Sequence, residues 1–188
     1  LAVIILVEDT ILPSRQPPLG ELISQCVADD LGGSPYEHQK KIIIHSCKGD
    51  AKVLKTCQEQ YPNLRKKGAI IATIDRDKVC RLLNIAHGSC RTKILQTFNL
   101  KIDNKTVEFI LIEDNMESLL LEITKIIEIE EKIRQDAMNK KINARDIVLQ
   151  KMAFSSKERR DKLRGQLPFF DRIIRKTIAQ LTAQRAPA

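Results

Sequence analysis

Two hydrophobic periodicities alternate along the first 130 residues. The chain opens on a continuous apolar run, Leu1–Val7 (LAVIILV), rich in β-branched residues and closed by Glu8. A short unbroken run of this kind predicts a strand buried on both faces of a parallel sheet. Three prolines between Leu12 and Pro18 exclude helix interior there. The pattern then shifts to the helical period over Leu19–Leu31, with Leu22, Ile23, Cys26 and Val27 on one face and Gly32-Gly33 as the stop.

The same alternation repeats. Lys41–Ser46 (KIIIHS) predicts a second strand, and Gly49-Asp50 opens a helix carrying Val53, Leu54 and Cys57 that Pro62 is expected to end. A basic connector, Arg65-Lys66-Lys67, leads to a third strand over Gly68–Ile74. One or two helices are expected within Lys78–Phe98, split near His87-Gly88. A fourth strand follows at Val107–Ile112, then a helix with Met116, Leu119, Leu120, Ile123 and Ile127 on one face. Strand and helix thus alternate through residues 1–130, which predicts an α/β domain with a mostly parallel four-stranded sheet flanked by helices. Residues 131–188 are basic and apolar at helical spacing, and are expected to pack on that domain as a helical extension. Pro168 suits the first turn of a last helix whose inner face is Phe170, Ile173, Ile174, Ile178 and Leu181.

Charge separates the same two regions. Residues 1–130 hold 17 basic and 18 acidic side chains, a net of −1, whereas residues 131–188 hold 15 and 6, a net of +9. An excess confined to one end suggests an anionic partner, most simply nucleic acid, although a solvated helical face reads the same way. Lys157, Arg159, Arg160, Lys162 and Arg164 form a cluster, followed by Arg172, Arg175 and Lys176. On helices these can track a phosphate backbone without reading sequence. Seven aromatics and no tryptophan give little support to base-stacking platforms.

Other features narrow the class. No apolar stretch approaches the ~20 residues of a membrane span, and the opening run lacks the flanks of a secretory leader. Five cysteines (26, 47, 57, 80 and 90) without C-x-x-C spacing predict reduced, mostly buried thiols in a cytoplasmic protein. No P-loop pattern occurs, so any ATPase partner is a separate chain. Self-association is left open.

The chemistry-bearing signal is the placement of acids. Three of the four expected strands end in carboxylates: Glu8-Asp9, Asp75 with Asp77, and Glu113-Asp114. In an open parallel sheet the carboxyl ends of the strands line the ligand crevice, so acids distant in sequence meet in space. Clustered carboxylates need protonation or a cation, and hard oxygen donors select Mg²⁺ or Mn²⁺. The competing account is that each acid caps a following helix, which is strongest for Glu113, Asp114 and Glu117. His45 at the end of the second strand reads as a packed histidine, and Lys48 as a surface lysine that could meet a phosphate.

The pieces AVIILVEDT (Glu8), SCKGD (Gly49) and IIATIDRDK (Asp75, Asp77) together resemble the TOPRIM pattern, with FILIEDNMESLLLEI similar to the later segment of small standalone members. The resemblance spans roughly residues 1–125 and is carried by short motifs. It implies a Rossmann-like fold and a Mg²⁺-dependent phosphotransfer site. Glu8 would be the general acid/base or a metal-proximal carboxylate, with Asp75 and Asp77 as metal ligands and Asp114 and Glu117 joining them. Asp9 stands where the family usually has glycine. Tyr36 and Tyr61 lie in no nucleophile context, which argues against a topoisomerase, and the chain is short for a primase. What remains is a small nuclease, similar to overcoming-lysogenization-type nuclease domains and to effector partners of ABC-type ATPases in bacterial anti-phage systems. The alternatives are a regulatory chain resembling a two-component receiver, from ILVEDT and a later strand-end Asp, and a TOPRIM-like binding subunit without catalysis.

Overall fold

The computed structural model describes residues 2–8, 18–75, 107–112 and 116–183, together with Lys78, Cys80, Arg81, Asn84 and Lys93. The expected helices within Lys78–Phe98, and Asp77, Cys90 and Asp114, lie outside the described residues except at those isolated positions. The elements run β1 (Ala2–Val7), α1 (Pro18–Leu31), α2 (Pro35–Gln39), β2 (Ile42–Ser46), α3 (Asp50–Lys67), β3 (Gly68–Asp75) and β4 (Val107–Ile112). The later helices are α4 (Met116–Ile126), α5 (Glu131–Met138), α6 (Ile142–Ala153), α7 (Lys157–Gln166) and α8 (Pro168–Ala183).

The strands pair in the order β2-β1-β3-β4, every pair parallel. β1 is central, with Leu6 opposite both His45 and Ala72. Its continuous apolar run follows from this position. Val3, Ile5 and Val7 point into the core shared with α1, α4, α6 and α8, while Ile4 and Leu6, also buried, point to the other face. There α3 packs against β1 and β3, contributing Val53, Leu54 and Cys57, all fully buried. Each such aliphatic side chain contributes about 1.5–3 kcal/mol by leaving water. Thr73 donates to the Leu6 carbonyl at 2.9 Å, so this buried hydroxyl is satisfied between strands.

Two expectations need correction. Pro62 does not end α3, which continues through it to Lys67, so Arg65-Lys66-Lys67 are helical rather than a connector. A proline deletes one backbone donor and crowds the preceding turn, but the turns after it can still close their own bonds. The short helix α2 was also not foreseen; Pro35 starts it. α3 then passes into β3 with no loop, at Gly68. A Cβ there would lie 1.7 Å from the Ala2 carbonyl oxygen, so only glycine permits this approach of the two strands.

The described residues 131–183 form four helices whose apolar faces join the core of the sheet. Phe170, Ile174 and Val148 are fully buried there, and Ile178 packs partly buried beside them. No helix among the described residues is long and apolar enough to cross a membrane. Cys26, Cys47, Cys57 and Cys80 are buried.

Candidate functional site

The sheet order fixes where a ligand belongs. β1 is followed in sequence by its neighbour on one side and later by β3 on its other side. The crossovers leave a crevice at the carboxyl ends of β1 and β3, the topological switch point at which doubly wound sheets bind ligands. Glu8 follows the last residue of β1, and Asp75 is the last residue of β3.

Both carboxylates converge on one ammonium group. Lys78 Nζ lies 2.5 Å from Glu8 Oε1 and 2.9 Å from Asp75 Oδ2. A third acid, Glu117 in the first turn of α4, is close enough to act on Asp75 electrostatically. Its own partner is Lys140, at 2.9 Å, from the turn between α5 and α6. Lys140 adopts a left-handed backbone, φ 64°. Through this turn the helical extension reaches the crevice.

Charge and burial set the protonation tendencies. Burial pushes the Asp75 carboxyl up. Lys78 works against this by hydrogen bond and charge, Glu8 and Glu117 add to it, and the net is upward. Burial also raises Glu117, but the Lys140 hydrogen bond, a backbone amide and the charges of Lys140 and Lys78 prevail, holding it below the usual range. Burial disfavours the Lys78 ammonium, yet its bonds to Glu8 and Asp75 outweigh that and keep it protonated above the ordinary lysine range.

The turn after β2 completes the edge. Cys47 N–H donates to the Val7 carbonyl at 2.8 Å and Gly49 N–H to the Glu8 carbonyl at 2.7 Å. Lys48 (φ 60°) and Gly49 (φ 129°) turn the chain sharply so that α3 starts beside Glu8. At Gly49 a side chain would be strained, which gives the glycine of SCKGD its physical reason. Lys48 is exposed there, and His45 is half-buried within β2.

Of the residues expected to bind metal, the structure brings Glu8, Asp75 and Glu117 to one edge. Asp77 and Asp114 lie outside the described residues. Among the described residues, no three His, Cys, Asp or Glu side chains approach closely enough to hold a metal ion as they stand. Lys78 and Lys140 occupy the positions between and beside the acids. The sequence reading missed both lysines. Lys78, one turn beyond a strand-end Asp, was the one detectable from spacing.

The basic cluster stands elsewhere. Parallel β1 and β2 require the intervening chain to return to the amino edge of the sheet, and Asp29 and Asp30 lie in the last turn of the returning helix α1. Arg160, 6% exposed, donates from Nε and Nη2 to Asp29 at 2.6 and 2.8 Å, and from Nη1 to the carbonyls of Ala153 (3.0 Å) and Ser155. Arg164 pairs with Asp30 and Asp171, each at 2.9 Å, and Lys157 donates to the Asp29 carbonyl. α1 has two acids and no base in its last turn, the unfavourable end of its dipole. Arg160 and Arg164 supply the missing positive charge. Arg160 and Arg164, both expected to bind nucleic acid, are held by Asp29, Asp30 and Asp171 and fasten the extension to α1. Arg159, Lys162, Arg172 and Arg175 remain exposed, Arg175 also pairing with Asp171, and Lys176 is half-buried.

Comparison with protein families, with curated proteins and with solved structures finds no match to this chain.

Proposed function

We propose that this chain is a Mg²⁺-dependent nuclease of TOPRIM type, hydrolysing phosphodiester bonds of nucleic acid, DNA in the first instance. The observation that carries the reading is the convergence of Glu8 and Asp75 on a single cation at the β1/β3 switch point. The donor set suits a hard divalent ion: two carboxylates from adjacent strand ends, a third nearby, and the Lys78 ammonium as a stand-in cation between the first two. Glu8 and Asp75 would hold the metal, with Asp77, Asp114 and Glu117 as further candidate ligands. Mg²⁺ there would polarise a phosphoryl oxygen and lower the pKa of bound water.

The chain's own groups divide the remaining work. Glu117 stays ionised and adds negative charge to the cation side. Glu8, half-buried at the crevice, would carry a proton to or from the reacting oxygens in place of binding the metal where Asp75 and the further acids hold it. Lys48, Lys78 and Lys140 line the same edge and attract a polyanionic backbone without base specificity. Arg159, Lys162, Arg172, Arg175 and Lys176 extend the positive surface away from the crevice, suited to a long nucleic acid. The reading extends to an effector role in anti-phage defence alongside a separate ATPase chain, as the TOPRIM resemblance implies.

The test is cleavage of supercoiled plasmid and of single-stranded DNA and RNA with Mg²⁺ or Mn²⁺. Glu8→Gln and Asp75→Asn should each lose activity with unchanged circular dichroism. Equal cutting by parent and both variants would refute this site. A second reading is favoured by the sheet order β2-β1-β3-β4, shared with receiver-type folds, and by Asp75 at the end of β3. Incubation with acetyl phosphate distinguishes it: an acyl phosphate on Asp75 would replace the nuclease reading with that of a phospho-acceptor.

A further inference from the structure

Lys78 offsets part of the crevice's negative charge from within the chain. Lys78 bonds both strand-end acids at once, at 2.5 and 2.9 Å. Its side chain is 42% exposed, against 18% for Glu8 and 9% for Asp75. The acids are therefore held by the sheet, whereas the lysine lies over them on a flexible four-carbon stem with solvent beside it. An ammonium in this position stands where Glu8 and Asp75 would hold a divalent ion.

We propose that Lys78 is a resident counter-ion of the Glu8–Asp75 crevice, displaced when a divalent cation enters. It rests on the metal-site reading above. In the metal-free protein Lys78 holds the two carboxylates together against their mutual repulsion. On loading, its contacts are exchanged for those of the metal and the ammonium moves outward to the solvent side. Loading is consequently a competition, and the metal concentration at which the site fills is set by the protein's own lysine. Among the described residues two lysines face three acids here, since Lys140 also pairs with Glu117. A divalent ion added while both remained would overcharge the site, and Lys78 is the one that touches both candidate ligands.

The experiment is calorimetric titration of the full chain with Mg²⁺ alone and Mn²⁺ alone. Lys78→Met and Lys78→Gln remove the competing charge and are expected to tighten binding about tenfold, which corresponds to about 1.4 kcal/mol. Lys78→Arg keeps the charge and should stay near the parent. Lys48→Met removes an exposed charge from the same edge and should change affinity by less than about threefold, which separates a contact effect from the general field. A second readout is thermal unfolding without metal. Lys78→Met should melt below the parent and recover more than the parent on adding Mg²⁺. If parent and Lys78 variants bind with equal affinity, or the variants bind more weakly, the counter-ion role is wrong while the metal site stands. If neither parent nor variants bind either metal, both readings fall.

Discussion

Replacing Arg160 by Met removes a guanidinium fork but keeps most of its apolar stem. Four donor contacts are lost: two to the Asp29 carboxylate and two to the carbonyls of Ala153 and Ser155. Breaking a buried ion pair from one side costs about 3–5 kcal/mol, because the other charge stays behind uncompensated. The Asp29 side chain retains 12% exposure, so water can reach it in part and the lower end applies. We therefore expect a loss of about 3 kcal/mol. With a urea slope of about 2 kcal/mol per molar, the unfolding midpoint should fall by about 1.5 M. Circular dichroism through a urea titration reads this directly. Adding Asp29→Asn to Arg160→Met should recover part of the loss, since the stranded charge is removed, and the double-mutant cycle gives the coupling. A midpoint shift under about 0.5 M would refute the structural assignment of Arg160 and return it to the nucleic-acid surface.

Other consequences are as direct. Gly68→Ala places a Cβ against the Ala2 carbonyl, and we expect at least about 2 kcal/mol lost, seen as a melting temperature lower by about 5 °C or more. Burial pushes the Cys26 and Cys57 thiols up to about 12, against 9.0 ordinarily; both should resist iodoacetamide at pH 8.5 until denaturant is added, read by peptide mass. The sign for stability follows: these raised values favour the folded state fully below pH 9, and the contribution is lost as pH rises from 9 toward 12, so the urea midpoint should decline across that window. On the surface, Lys162→Ala with Arg172→Ala should weaken DNA binding and flatten its salt dependence by about two units of slope if the exposed helices grip phosphate, whereas an unchanged slope in fluorescence anisotropy would place the grip at the crevice lysines instead.

Most of the fold was legible because each element carries its own signature. The unbroken run AVIILV could be satisfied only at the centre of a parallel sheet, and β4 begins and ends where its apolar pattern does. The inner face of α8 was readable from spacing, since Phe170, Ile173, Ile174 and Leu181 recur at the helical period. Glu8 and Asp75 were readable as strand-end acids, and the switch-point geometry brings them together. Local signals misled at Pro62, where a proline interrupts one hydrogen bond without stopping the helix.

What the sequence could not decide was the pairing of charges. In the linear chain Arg160 and Arg164 are two members of a basic run, and nothing local separates them from Arg159 and Lys162. The separation arises because α7 packs against the last turn of α1, 131 residues away for the Arg160–Asp29 bond. Lys78 and Lys140 enter the acid crevice the same way, Lys78 from one turn beyond β3 and Lys140 from a left-handed turn of the extension. Hydrophobic period is a property of neighbours a few residues apart, so the sequence alone determines strands, helices and the edge at which the acids gather. Coulomb attraction acts through space between groups that only the folded chain brings within a few ångströms, so which cation each acid meets was decided by the tertiary structure.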